Sequence, residues 1–327
     1  MSGQHKQRLK NLIDVQSLFD EVGIDYKTGG KNVARSDINV CCPFCGEGRY
    51  HLAVHKEDGR LNCWVCNFDH LKKRPSILTL LMSLLECDFR YAKSLLDKFR
   101  DDGPEGTTEP HRVPATNVEY PAGTYDFSEP GIFRESCSAA MRYLFNRNYD
   151  SNHIHDYHLK FCPLGTYSNR IIIPVFFEGR LVSYTGRDYT GNANLRYRNC
   201  PLNKSILSPK KVLYNWDNFV EYMKYSGKKH VRLVEGPTDV WRIGRTSLGM
   251  MTNKLYTKQM SLLASLRLDS ISLIFDPGSY GKGIRYSEEL SPLVPSIKVV
   301  QLVDRDPSQM TEAEIFAIEE NTPTVAF

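Results

Sequence analysis

Apolar residues recur at helical spacing over residues 8 to 22 (Leu9, Leu12, Ile13, Val15, Leu18, Phe19 and Val22), and Gly23 follows as a stop. The period then shortens. Residues 51–55 (HLAVH) and 60–65 (RLNCWV) alternate as strands do, and helical spacing returns at 76–86 and 89–99. From Asp101 to Tyr125 periodicity fades into a segment rich in proline, glycine and threonine. That segment reads as a linker, with an ordered loop lying on the next domain as the other reading. Residues 126 to 225 are mixed: a helix around 137–148, then strands at 170–177 and 181–186 joined by the turn EGR. From His230 short apolar strands (HVRLV, SISLIF, SIKVVQLV) alternate with helices, one starting near Pro237, where proline suits a first turn. Such runs imply a largely parallel sheet covered on both faces, with ligand chemistry at the carboxyl ends of its strands. No internal repeat is present.

At 327 residues and 41% apolar the chain has material for two or three domains. Its net charge of +4 is too small to imply a nucleic-acid partner unless basic surface is local. No apolar run reaches membrane-span length, and the start MSGQHKQRLK has no signal-peptide core, so a cytoplasmic protein with no membrane partner is expected. Nine cysteines fit a reducing compartment better than a disulfide framework.

Four of those cysteines carry the strongest chemical signal. Cys42, Cys45, Cys63 and Cys66 form two C-x2-C pairs separated by seventeen residues, about what a short hairpin needs to bring the second pair beside the first. Four thiolates close a tetrahedral zinc site with no open position, which makes the ion structural. A pair of redox C-x2-C motifs is the competing reading. Cys41 breaks the x2 spacing and is read as a spectator; His51, His55 and His70 are read as strand or turn residues. The expected fold class is α/β (α+β overall): a zinc-ribbon domain within 1–100, a linker over 101–125, a mixed basic subdomain over 126–225, and a parallel α/β domain over 226–327.

Acids close three of the predicted strands. Glu235 ends the first, with Asp239 one turn further on; Asp276 ends the second; Asp304 and Asp306 follow the third. In a parallel sheet these ends share one edge. Converging carboxylates repel unless divalent cations neutralise them, and Mg2+ or Mn2+ takes such hard oxygen ligands. Two ions about 3.5–4 Å apart suit phosphoryl transfer. The plainer reading is helix capping. Before these acids lies a basic stretch: Arg170, Arg180, Arg187, Arg196, Arg198, Lys204, Lys210 and Lys211 oppose only Glu178 and Asp188, a local net charge of +6. Tyr184, Tyr189 and Tyr197 are interleaved, as on a surface that holds phosphates and stacks bases. A solvated charged face is the bland alternative.

These segments resemble the bacterial and phage-type DNA primases. EGPTD resembles the E-G-x-x-D element of the TOPRIM domain, FDPGSYG its D-x-D-x-x-G element, and DRDPSQ the third acidic segment of primases. RIIIPVFFEGRLVSYTGRD with LRYRN resembles the N-terminal half of the primase polymerase core, with Arg196 where lysine is usual. CPFCGEGRY through CWVC resembles the primase zinc-binding domain in its all-cysteine form. One departure stands out: Gly278 occupies the place of the second TOPRIM acid.

The resemblance implies synthesis of short RNA primers on single-stranded DNA from ribonucleoside triphosphates, during DNA replication in a bacterial cell or a phage-infected host. Glu235, Asp239, Asp276 and Asp306 would be catalytic, with Glu235, Asp276, Asp304 and Asp306 holding Mg2+ or Mn2+. Arg170, Arg187, Arg196, Tyr197, Asn199, Lys210 and Lys211 would contact template or nucleotide, and exposed Arg49, Tyr50, His51, Lys56 and Trp64 could read template bases. No GxxxxGK[ST] loop is present, so a separate replicative helicase is the implied partner. Gly278 keeps two alternatives open: a catalytically impaired, zinc-containing DNA-binding protein on the same scaffold, or a TOPRIM nuclease or topoisomerase.

Overall fold

The computed structural model describes residues 13–99, apart from 23, 25, 31, 86 and 88, and residues 116–327, apart from 194, 195, 202, 203 and 253. The chain divides into two compact units. One takes its described residues from 1–114 and 191–196, the other from 115–190 and 197–327.

In the first unit, residues 15–22 of the expected first helix form α1 (Val15–Val22), while 8–12 lie outside the described residues. Asp14 caps α1, its carboxylate accepting from the Ser17 amide at 2.9 Å. The helix withdraws Val15, Leu18, Phe19 and Val22 from water, the four apolar positions its spacing puts on one face. A three-stranded antiparallel sheet follows: β1 (Asp37–Cys42), β2 (Glu47–His55) and β3 (Leu61–Cys63), in the order β1-β2-β3. Strand β2 is longer than the pattern HLAVH suggests, because the turn after Cys42 returns the chain early enough for Glu47 to pair with Cys42. Across the sheet Leu52 pairs with Val40 and with Cys63, so β1 and β3 bring their cysteine-bearing ends to the same edge. Helices α2 (Ile77–Leu85) and α3 (Phe89–Lys98) complete the unit and bury Leu80, Leu81 and Ala92.

The second unit contains two sheets. Strands β4 (Tyr125–Asp126), β5 (Lys160–Cys162), β6 (Arg170–Phe177), β7 (Arg180–Asp188) and β8 (Tyr197–Asn199) form an antiparallel meander in sequence order. Between β4 and β5 lie α4 (Arg134–Phe145) and α5 (Ser151–Asp156). After α6 (Trp216–Ser226) comes a four-stranded sheet of β9 (His230–Val234), β10 (Ser247–Gly249), β11 (Ser270–Ile274) and β12 (Ser296–Val300). Its order is β10-β9-β11-β12 and every pair is parallel, as the buried-type runs require. Helices α7 (Pro237–Ile243), α8 (Thr257–Ser265), α9 (Tyr280–Leu290) and α10 (Glu312–Asn321) accompany these strands.

The parallel strands alternate between two cores. Val231, Leu233, Ile271, Leu273, Ile297 and Val299 pack with Trp216, Phe219 and Leu290. Val234, Ile274 and Val300 instead pack with Val240, Trp241, Ile171 and Leu144. This second core runs through both sheets, so the mixed segment and the parallel domain share apolar interior. Residues 116–124, within the stretch that reads as linker, are also packed. Val118 is buried with Cys162, Tyr167 and Ile172, and the Thr116 carbonyl accepts from Arg180. The alternative of an ordered loop describes that part better; residues 101–115 lie outside the described residues. Among the described residues no helix is long and apolar enough to cross a membrane.

Candidate metal and nucleic-acid sites

The two cysteine knuckles are built alike. In each, the residue after the second cysteine adopts a left-handed backbone, Gly46 at φ 77° and Asn67 at φ 43°. Its amide then donates to the carbonyl of the first cysteine, Gly46 to Cys42 at 3.1 Å and Asn67 to Cys63 at 2.9 Å. Glycine and asparagine are the residues that reach this region most cheaply, which is why each C-x2-C is followed by one of them. The His70 Nε2 bonds the Phe44 carbonyl at 2.9 Å and ties the first knuckle to the chain after the second. His70 is thus a brace.

The sulfurs of Cys42, Cys45, Cys63 and Cys66 all lie within 4.8 Å of one another. Those of Cys45 and Cys63 are 3.9 Å apart. With Zn–S bonds of about 2.3 Å the edge of a tetrahedron is about 3.8 Å, so the donor set fits zinc in both chemistry and spacing. No disulfide competes, and Cys41 directs its sulfur to the Gly48 carbonyl instead. Burial pushes the Cys42 thiol well above its usual range and raises Cys66 as well. A bound zinc ion reverses that preference, since coordinated thiols are deprotonated. At the knuckle Trp64 and Val65 are each 52% exposed, so Trp64 is not held by core packing.

The acids converge around Asp239. Glu235 leaves β9 and turns into α7, a short helix whose residues Pro237 to Trp241 are buried. Tyr149 donates its hydroxyl to the Thr238 carbonyl at 3.0 Å, and Trp241 donates its indole N–H to Tyr214 at 2.9 Å, locking that helix in place. Asp239 is 6% exposed and accepts from the Gly236 amide at 3.0 Å, which fixes the Glu235–Gly236 turn. Burial first, and then the charges of Asp276, Glu235 and Asp306, push its carboxyl up to about 7. Acids from three strand ends therefore share one electrostatic neighbourhood. Asp304 is exposed, whereas Asp306 caps the turn Pro307–Gln309. These hard oxygen donors fit Mg2+ or Mn2+ in chemistry. Among the described residues the four cysteines form a set of metal-ligating side chains within 4.8 Å of one another, and no set of three carboxylates is drawn that close.

Two features of this edge lay beyond the sequence reading. The Lys282 Nζ, in the first turn of α9, lies 3.3 Å from Glu235 Oε1, an ion pair across 47 positions that no local pattern announces. The second had a signal. Asp276-Pro277-Gly278-Ser279 is a tight turn closed by the Ser279 amide on the Asp276 carbonyl at 3.0 Å, with Gly278 at φ 86°. Proline followed by glycine at the two central positions marks a type II turn, which needs a positive φ where the second acid would stand.

The basic segment divides. Arg170 is 5% exposed and donates to the Gly186 carbonyl at 3.0 Å, so it serves the sheet interior and offers no surface contact. Arg187 is likewise buried, donating to the hydroxyls of Tyr143 and Tyr197 with its guanidinium 4.9 Å from the Tyr197 ring centroid. Tyr143 was not singled out by sequence. Lys210 is buried with its ammonium 4.8 Å from the Tyr256 ring centroid. For the two arginines the physical reason is the sheet: Arg170 opens β6, buried from Arg170 to Val175, and Arg187 lies in β7, buried from Val182 to Asp188, so both faces of these strands are covered and charge in the sequence does not mean charge at the surface. Arg196, Asn199 and Lys211 are exposed, and Tyr197 is half-buried.

No protein-family model matches the chain, and no curated protein matches it. Solved structures do. The zinc-binding and RNA polymerase domains of the Aquifex aeolicus primase align over 98% of this chain and 85% of theirs, with 15% identity and a TM-score of 0.50. A DnaG primase catalytic domain bound to single-stranded DNA aligns over 58% of this chain and 73% of its own, with 16% identity and a TM-score of 0.49. The RNA polymerase domain of the Mycobacterium tuberculosis primase DnaG aligns over 57% and 77%, with 14% identity and a TM-score of 0.48. The Aquifex likeness spans both units, so the fold is that of a bacterial-type primase, as the motifs imply.

Proposed function

We propose that this chain is a DNA primase, a nucleotidyltransferase that makes short RNA primers on single-stranded DNA during replication. The observation that carries this reading is the convergence of Glu235, Asp276 and Asp306 on Asp239, in a chain that also holds a four-cysteine unit. Glu235, Asp276, Asp304 and Asp306 would hold Mg2+ or Mn2+, which when bound supplies charge neutralisation at a phosphate and acidifies an attacking hydroxyl. Asp239 keeps the Glu235 turn in shape through its bond to the Gly236 amide. Arg187 fixes the hydroxyls of Tyr143 and Tyr197 and so presets the strand that follows Arg196. Exposed Arg196 and Lys211 are suited to phosphates, and Trp64, half-exposed on its knuckle, to stacking on a template base. Ribonucleoside triphosphates are the substrates, and a separate replicative helicase is the partner this reading implies.

The test is ribonucleotide incorporation on assorted single-stranded templates with Mg2+ or Mn2+, run beside a cleavage assay. Wild type should yield oligoribonucleotides, and Glu235→Ala and Asp276→Ala should reduce them to background without unfolding the chain. Wild-type-like synthesis by both variants sinks the metal assignment. Nicking without synthesis would point to a nuclease. Binding alone would favour a non-polymerising scaffold, the reading prompted by Gly278 in place of an acid.

A further inference from the structure

The Lys282 ammonium sits on Glu235 in a setting that holds it there. Its Nζ lies 3.3 Å from Glu235 Oε1, its side chain is only 18% exposed, and the ring centroids of Phe275 and Tyr286 lie 5.3 Å and 6.0 Å away. Phe275 belongs to the chain leaving β11 and Tyr286 to α9, so two elements confine the amine. An exposed ion pair of this length contributes little, but confinement against aromatic faces lowers both the solvation of the ammonium and its freedom to leave. The same edge carries Asp276 and Asp306, and it has Gly278 where another acid would add negative charge.

We propose that Lys282 is a positioning residue that acts as a built-in countercation for Glu235 and weakens the affinity of the strand-end acids for divalent cations. This rests on the reading of those acids as a cation site. An ammonium and a divalent ion cannot share one carboxylate oxygen at contact distance without mutual repulsion, so an ion that binds through Glu235 Oε1 must displace the amine, and one that binds through Oε2 is repelled by it at close range. In the absence of a divalent cation, Lys282 keeps Glu235 from recoiling from Asp276 and Asp306, so the carboxylate stays aimed at the shared edge.

The measurement is Mn2+ binding by electron paramagnetic resonance to the zinc-loaded full chain, without nucleotide. Lys282→Met and Lys282→Gln should each bind Mn2+ at least about fivefold more tightly, since a unit charge is removed within a few ångströms of the ion. Lys282→Arg, which keeps the charge, should stay within about twofold of wild type. In a Glu235→Gln background the gain should vanish. No tightening in either neutral variant overturns the proposal, as does an equal gain when Glu235 is already gone. Two neutral variants of different shape keep a packing loss in one from deciding the result. Tightening in a chain that makes no primers refutes the primase reading and leaves this proposal standing, whereas primer synthesis with no tightening does the reverse.

Discussion

Gly278 shows how one residue joins backbone and chemistry. Its φ of 86° lies where an L side chain is strained, while the space a Cβ would occupy is open. Gly278→Ala should therefore destabilise the second unit by about 1 kcal/mol through the backbone alone, read by urea unfolding. Gly278→Asp should cost less, because a short polar side chain tolerates the left-handed region, and it should tighten Mn2+ binding by adding an acid to the edge. A loss of several kcal/mol in both variants would mean that the turn is packed in a way the open space contradicts. The Pro277-Gly278 pair was readable as a turn in advance. The Lys282–Glu235 pair was not, since only the parallel sheet makes neighbours of residues 47 apart.

Two elements invite direct tests. The cysteine hairpin buries Ile38, Val40, Leu52 and Val54 along its strands, and closing a zinc site of this kind at their ends supplies roughly 10–16 kcal/mol of apparent binding energy. Stripping the metal with a strong chelator should release one zinc per chain and abolish hairpin order, seen as loss of amide protection in residues 37–66; retained protection after release would refute a structural role. Helix α10 is fastened differently. Glu319, 5% exposed, takes hydrogen bonds from His230 Nε2 at 2.9 Å and Arg232 Nε at 2.6 Å. Burial acts to raise its carboxyl, but the bonds from His230 and Arg232 outweigh it and hold the group down at about 2. A folded value below the unfolded one adds stability above about pH 4.5 that is lost as pH falls toward about 2, on the order of 3 kcal/mol at most. Glu319→Gln should be less stable at neutral pH and should flatten the acid limb of the stability profile. A variant with the wild-type acid limb would show that another group sets it.

At the scale of the whole molecule, the proposed primase function asks a chain with a net charge of only +4 to hold a polyanion, so under that proposal its contacts must be few and local. Affinity for single-stranded DNA should fall linearly with salt on logarithmic axes, with a slope of about −0.7 per phosphate contacted. The shallow slope expected of two or three contacts follows from the burial of Arg170, Arg187 and Lys210, which leaves Arg196 and Lys211 among the exposed candidates. A slope demanding six or more would return the buried arginines to the interface. The sequence by itself determined the elements whose cause is local: strand and helix periods, the paired knuckles, the Pro-Gly turn, and acids at strand ends that a parallel sheet must gather on one edge. Its order of segments also matched the fold seen in the Aquifex primase. Tertiary structure alone decided which charges face water, why residues 116–124 pack instead of tethering, and that an ammonium from α9 rests on Glu235. Periodicity reports one chain segment against an average surrounding. Burial of β7 on both faces, and contact across 47 residues, depend on what the rest of the chain brings to that place.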